Sequence, residues 1–192
     1  MNSKNIANDW EVSIRFLFIS ILVLGFMYPL IITLLSQSLG THLANGSLIY
    51  QDKQVIGSSL LAKNEERTDL FLYRPSANQY DTIPSSASNL GPSSMELKKQ
   101  VEERKKVLIS AGIRPEHCQE LLYTSGSGLD PHITSECARE QGKVLSFITK
   151  IPIETIDGMI DQFVEKSYFG FIGRERVNVT KLNIAWKQFT HE

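Results

Sequence analysis

The sequence predicts an α+β protein: a single N-terminal transmembrane helix followed by one extracytoplasmic domain of mixed helices and strands. Three observations predict it. Phe16 to Leu35, FLFISILVLGFMYPLIITLL, carries no charge. The cations nearest that run, Lys4 and Arg15, precede it, and the first after it is Lys53. Beyond it, short branched and aromatic runs alternate with stretches whose apolar residues recur at helical spacing.

The apolar run comes first. At about 1.5 Å per residue it covers the roughly 30 Å hydrocarbon core of a bilayer, which a buried helix of a soluble domain need not do. A cleaved signal peptide is the rival reading. Its apolar region is usually only roughly 7 to 15 residues, and Ser36-Gln37-Ser38 is a poor cleavage site. Lys and Arg resist translocation, so residues 1–14 are expected in the cytoplasm and 15–36 in the cytoplasmic (inner) membrane as a single pass. Residues 37–192 are then periplasmic or extracellular. The helix is expected from about Asp9 to Leu39, kinked at Pro29 and stopped at Gly40. No Asp, Glu, Lys, Arg or His lies inside the run, so the span alone offers no ion or proton path across the bilayer.

The remaining chain is enough for one domain with its own core. A net charge of −1 leaves no broad basic face, which argues against nucleic acid as a partner. Ser47 to Tyr50, Gln54 to Leu60 and Asp69 to Tyr73 read as strands. Ser93 with Glu96 forms a capping-box pattern opening a helix that turns Leu97, Val101 and Leu108 to one side and ends by Gly112 and Pro115. Leu121 to Thr124 reads as a short strand. Helices follow at about Ser135 to Lys150, with Cys137, Val144, Leu145 and Ile148 on one side, and at Glu154 to Lys166, with Ile156, Ile160, Phe163 and Val164. Both stripes read as core. Arg176 to Thr180 alternates as a strand, and Asn183 to Phe189 reads as a closing helix. Cys118 and Cys137, the two cysteines, could pair outside the cytosol, closing a loop worth about 3 kcal/mol, or remain two buried thiols.

Two loops are rich in Ser, Gly, Pro and Asn yet nearly uncharged. From Arg74 through Ser94 the one acid is Asp81, and from Leu121 through Ile133 it is Asp130. Disordered linkers are usually charged, and long loops inside compact domains are usually functional, so both read as docking loops. Ser125-Gly126-Ser127-Gly128 offers backbone amides and hydroxyls to another protein or to a small anion, with ordinary turn chemistry as the plain alternative. Ser127, Asp130 and His132 have the residue types of a hydrolase triad, which makes a membrane-anchored hydrolase the competing class. They crowd into six residues, however, and lack a Gly-x-Ser-x-Gly elbow. His117, Cys118, His132 and Cys137 could be metal ligands, but no pair has a familiar ligand spacing.

Four blocks are similar to one family: Arg74-Pro75-Ser76-Ala77; Ser88-Asn89-Leu90-Gly91-Pro92-Ser93; Thr124 through Ile133, TSGSGLDPHI; and Arg176-Val177-Asn178-Val179 with Leu182-Asn183. With the preceding span, their order and intervals resemble the C subunit of the Kdp potassium-transporting P-type ATPase over essentially the whole chain. Ser85-Ser86-Ala87, Ser94-Met95 and Gly173-Arg174-Glu175 depart from the family's pattern and bear on local loop shape. The resemblance implies an accessory, non-catalytic subunit that assembles or stabilises a channel-like potassium-conducting subunit and a P-type ATP-hydrolysing subunit, beside a small single-span subunit. It also implies a catalytic chaperone raising the pump subunit's affinity for ATP, with direct ATP binding proposed for such subunits; an extracytoplasmic domain could not touch cytoplasmic ATP, so no cofactor is expected on this chain directly and ATP only through the pump subunit. Partner-binding residues are expected in the two loops: Arg74, Pro75, Ser76, Ser88, Asn89, Leu90, Gly91, Pro92, Ser125, Gly126, Ser127, Gly128, Asp130 and His132. Arg74 could reach a partner carboxylate or lie solvated on the surface. Asp130 and His132 could join the interface, or Asp130 could bias potassium toward a pore mouth. Pinning of the loop through local hydrogen bonds is the favoured reading.

Overall fold

A computed structural model describes residues 3–65 and 67–191, which fall into two compact units divided after Ser47. The first is helical: α1 is Ser3–Ser20, a π-helical stretch is Ile21–Met27, and α2 is Tyr28–Ala44. Pro29 lies at the start of α2. It has no N–H to give and its ring crowds the carbonyl four residues back, so the turns before it open into the wider π form. Gly40 leaves helical geometry (φ −163°, ψ 61°), but Thr41–Ala44 resume the helix. The expected stop at Gly40 is thus a kink, and the chain turns at Asn45 and Gly46. Asp9–Ala44 is long and apolar enough to cross a membrane.

The second unit opens with an antiparallel hairpin, β1 (Leu48–Gln51) with β2 (Gln54–Ser58). A long loop leads to α3 (Met95–Ser110), whose cap is Ser94 and not the neighbouring Ser93: its hydroxyl accepts from the Leu97 N–H. Two 3₁₀ turns follow, Pro115–His117 and Gln119–Leu121. Then come β3 (His132–Thr134), α4 (Ser135–Thr149), α5 (Ile153–Gln162), β4 (Val164–Glu165), β5 (Arg176–Asn178) and α6 (Val179–His191). β5 runs antiparallel between β3 and β4, with Ile133 and Val164 both opposite Val177. Helices α4 and α5 meet closely at Gly142, where a β-carbon would lie 3.1 Å from Ile156 Cγ2. The core gathers Phe71, Leu145, Ile156, Ile160, Val177, Leu182 and Trp186, all buried. Cys137 and Leu145 of the α4 stripe are buried, whereas Ile148 is exposed. Cys118 and Cys137 form a disulfide that ties the turns to α4.

Several expected elements differ. The strand expected to reach Thr180 ends at Asn178, because Val179 and Thr180 open α6, which starts before the expected Asn183. Asp69 to Tyr73 is buried at Leu70, Phe71 and Tyr73 but belongs to no sheet, because side chains satisfy its backbone. Asn183 Oδ1 accepts from Phe71 N–H and its Nδ2 donates to Phe71 C=O, both at 2.9 Å. Gln141 does the same for Leu72 at 2.6 and 3.4 Å. Trp186 Nε1 donates to Asp69 C=O at 2.8 Å. Leu121 to Thr124 is a 3₁₀ turn and bend, not a strand. The helix expected to reach Lys166 ends at Gln162, since Val164 and Glu165 pair with β5.

Candidate functional site

The two uncharged loops lie against each other. Loop 74–94 is organised on Ser76 and Asn78. The Ser76 hydroxyl accepts from the N–H groups of Asn78 and Tyr80 and donates to Asn78 Oδ1. Asn78 Nδ2 donates to the carbonyls of Asp81 and Pro84, each at 2.6 Å. Tyr80 closes the turn, its hydroxyl donating to Arg74 C=O at 2.9 Å. Loop 121–133 docks there through Gly128, whose φ of +70° favours glycine. A β-carbon at Gly128 would fall 2.8 Å from both Asn78 Oδ1 and Ser86 C=O. Ser85 Oγ donates to Ser127 C=O at 2.8 Å, and Thr124 Oγ1 donates to Ser88 Oγ at 3.2 Å.

Charge is turned inward. Arg74 Nη1 donates to Asp130 Oδ2 at 3.1 Å and Nη2 to Thr124 C=O at 3.4 Å. Arg74 therefore grips a carboxylate of its own chain, 56 residues away in sequence. Asp130 Oδ1 accepts the His132 N–H at 3.1 Å and faces its Nδ1 at 3.0 Å. On the ring's other side Nε2 lies 3.5 Å from Glu165 Oε2 and 3.4 Å from Asn178 Nδ2. Burial alone would raise the Asp130 carboxyl, but the His132 hydrogen bonds and the His132 and Arg74 charges outweigh it and hold it below its ordinary value. Glu165 is likewise lowered: burial opposes, and the Arg176 hydrogen bond with the charges of His132, Arg176 and Lys181 prevails. The favoured reading of Asp130 and His132 as loop pins matches these bonds.

The hydrolase arrangement is not formed. Ser127 Oγ accepts from Leu129 N–H at 3.1 Å, and both ring nitrogens of His132 face other groups; among the described residues no hydrogen bond joins Ser127 to His132. The physical reason is the turn itself, which directs the Ser127 hydroxyl back onto its own loop as an ST-turn acceptor.

The fold thus brings Arg74, Pro75, Ser76, Ser88, Ser125, Gly128, Asp130 and His132 together as a half-buried to buried layer, with Gly126 and Ser127 exposed above it. Ser125 is buried, its hydroxyl accepting from Asp130 N–H at 3.4 Å. Asn89 (φ +52°), Leu90, Gly91 and Pro92 form the approach to α3, joined to its cap by Ser94 N–H to Gly91 C=O at 2.9 Å. A polar cleft of about 370 Å³ opens between the loops and α3, lined by Ser76, Ser86, Ser88, Leu90, Arg104 and Thr124. Arg104 closes it from α3, donating to Leu122 C=O at 2.9 Å. Sequence reading missed Asn78 and Ser85 in one loop and Glu165 beside His132. Ser-x-Asn at 76–78 is the one local signal, since short side chains of this kind bond their own backbone.

The description "K+-transporting ATPase, c chain" of the KdpC family matches residues 10–188. Proteins named potassium-transporting ATPase KdpC subunit are similar over nearly the whole chain. That of Pectobacterium atrosepticum is 43% identical over 175 residues, covering 88% of this chain and 92% of the relative. That of Bacillus cereus (strain AH820) is 40% identical over 176 residues, covering 89% and 91%. That of Methylococcus capsulatus is 34% identical over 183 residues, covering 93% and 96%.

Proposed function

The chain belongs to the KdpC family, the c chain of K+-transporting ATPases, and is a subunit of that complex; from this premise we propose that it is the accessory subunit that holds the complex together. It contributes a membrane anchor through Asp9–Ala44, N-terminus cytoplasmic, and an extracytoplasmic unit that docks through its two interlocked loops. One observation supports this reading most: Arg74, Asp130 and His132 pair with groups of this same chain, while the loops' other ionic group, Asp81, is exposed. The exposed backbone of Gly91 and Gly126 and the exposed Ser127 offer an uncharged rim. Such a surface costs little to desolvate against another protein, and its internal bonds fix its shape before docking. The partner at the rim is the potassium-conducting subunit. Any rise in ATP affinity of the ATP-hydrolysing subunit is then transmitted through subunit contacts across the membrane, with no nucleotide at this chain.

Removal of this chain from cells expressing the other subunits tests the reading. After gentle solubilisation, the potassium-conducting and ATP-hydrolysing subunits are expected to separate, with loss of potassium-stimulated ATPase activity. An intact, fully active complex would refute it.

A further inference from the structure

Between β4 and β5 the chain makes a tight hairpin whose tip is almost wholly apolar. Tyr168 and Ile172 exchange both backbone hydrogen bonds at 2.9 Å. Gly170 N–H reaches Ser167 C=O at 3.2 Å and Phe171 N–H reaches Tyr168 C=O at 3.3 Å. Four large side chains stand out from it: Tyr168, Ile172, Phe171 at 79% exposure and Phe169 at 88%.

Phe169 is unfavourable here on two counts. Its φ is +54°, a left-handed conformation that costs a residue with a β-carbon about 1 kcal/mol or more and that Gly or Asn fills readily. Its ring also lies in water with no part in the core. A turn chosen for folding alone would be polar, and local strain combined with apolar exposure marks a site where something else is gained.

We propose that this tip enters the interface of the lipid bilayer. The inference rests on the membrane-anchored reading above. Three features fit lipid. The turn satisfies its own N–H groups at Tyr168, Gly170, Phe171 and Ile172, which lowers the cost of bringing this backbone to the hydrated headgroup level. Its aromatic rings are the side chains favoured at the headgroup level. Exposed Lys166 and Arg174 flank the tip against Glu175, a modest basic excess beside it that suits lipid phosphates, whereas Arg176 is paired with Glu165. The tip and the span belong to one chain, so insertion is intramolecular and a shallow contact suffices.

The test uses the whole complex reconstituted into vesicles of phosphatidylethanolamine and phosphatidylglycerol. Phe169→Trp and, independently, Phe171→Trp each add an emission that is read as the difference from the parent complex. Lipids brominated high on their acyl chains are expected to remove most of the added emission, and aqueous iodide little of it. Quenching by iodide instead would place the tip in water and overturn the inference. So would protection from both quenchers, which would place the tip against a protein subunit. Retention of the chain in membrane pellets after a high-salt wash reads the anchor separately: a chain that washes off breaks the anchored reading, whereas a retained chain with iodide-quenched emission breaks the tip's role alone.

Discussion

The buried segment Asp69–Tyr73 and the loop pair 74–94 and 121–133 are both irregular backbone, and they are held in opposite ways. The buried segment is held from outside, by amides on two helices: Gln141 of α4 and Asn183 of α6. The loops are held mostly from within, by Ser76, Asn78, Asp130 and the bare backbone of Gly128, with Arg104, Ala62 and Val179 bonding the backbone of 121–133 from outside. Backbone this close to the core has little access to water, and the helices supply partners for Phe71, Leu72 and the Asp69 carbonyl. Loops at the surface need only a fixed shape. Substitutions in the first region should therefore cost the whole fold, whereas those in the second should cost the complex before the fold.

Asn183→Leu offers the largest effect. Asn183 is 1% exposed, and its loss strands both the N–H and the C=O of Phe71. At about 1–3 kcal/mol for each stranded group, a loss of about 4 kcal/mol is expected in urea unfolding of the full chain in detergent. A loss below about 1 kcal/mol would mean that water replaces the amide, and the contrast between the regions would weaken.

Gly128→Ala comes next. The added methyl meets the Ser86 carbonyl, which is backbone and cannot swing aside, at a residue already at positive φ. A loss of about 2 kcal/mol is expected from strain, together with a drop in complex yield greater than that loss explains. Yield that falls only in step with stability would make the loops structural.

Glu140, beside the clamping Gln141, sets the acid limb. The Arg114 hydrogen bonds at 2.6 and 2.7 Å, against some opposition from burial and helped by Lys143, hold its carboxyl at about 2 instead of 4.5. Because the folded value is the lower one, this stabilisation is complete above about pH 5 and is lost as pH falls toward about 2. Arg114 is half exposed, so solvent trims the pair, and Glu140→Gln should lower stability at neutral pH by about 1–2 kcal/mol. Unfolding midpoints followed from neutral to acid pH should show a shallower acid limb in the variant; parallel curves would remove Glu140 from the account.

Asp130→Asn should have a smaller effect on folding, about 1 kcal/mol or less, since its pair with Arg74 is partly solvated. Complex yield should fall more than apparent potassium affinity changes. A variant with normal assembly and weakened potassium uptake would instead give the carboxylate a part in delivering the ion.

The same contrast governs what could be read from sequence. The span, the hairpin β1–β2, β5 and the four helices α3 to α6 follow from local period, caps and breakers, so their residues announce them. Asp69–Tyr73 has the composition of a strand, and composition cannot reveal that its hydrogen-bond partners are side chains 69 and 112 positions away. β3 is three residues inside a stretch that reads as loop, and it exists because Val177 and Asn178 lie opposite it. Within the loops, Asp130 and His132 lie two residues apart, and their mutual bond is local enough to expect. The Arg74–Asp130 pair spans 56 residues, so local sequence leaves Arg74 either to a partner's carboxylate or to solvent and does not point to Asp130.

Gly126 gives the most direct test of docking. Open space surrounds the position of its missing β-carbon, so Gly126→Trp should leave the unfolding midpoint unchanged while placing a large ring on the exposed rim. The measurement is copurification of the potassium-conducting and ATP-hydrolysing subunits with this variant, alongside potassium-stimulated ATPase activity. A normally folded chain recovered without its partners is expected. A complex recovered at parental yield and full activity would contradict docking through these loops.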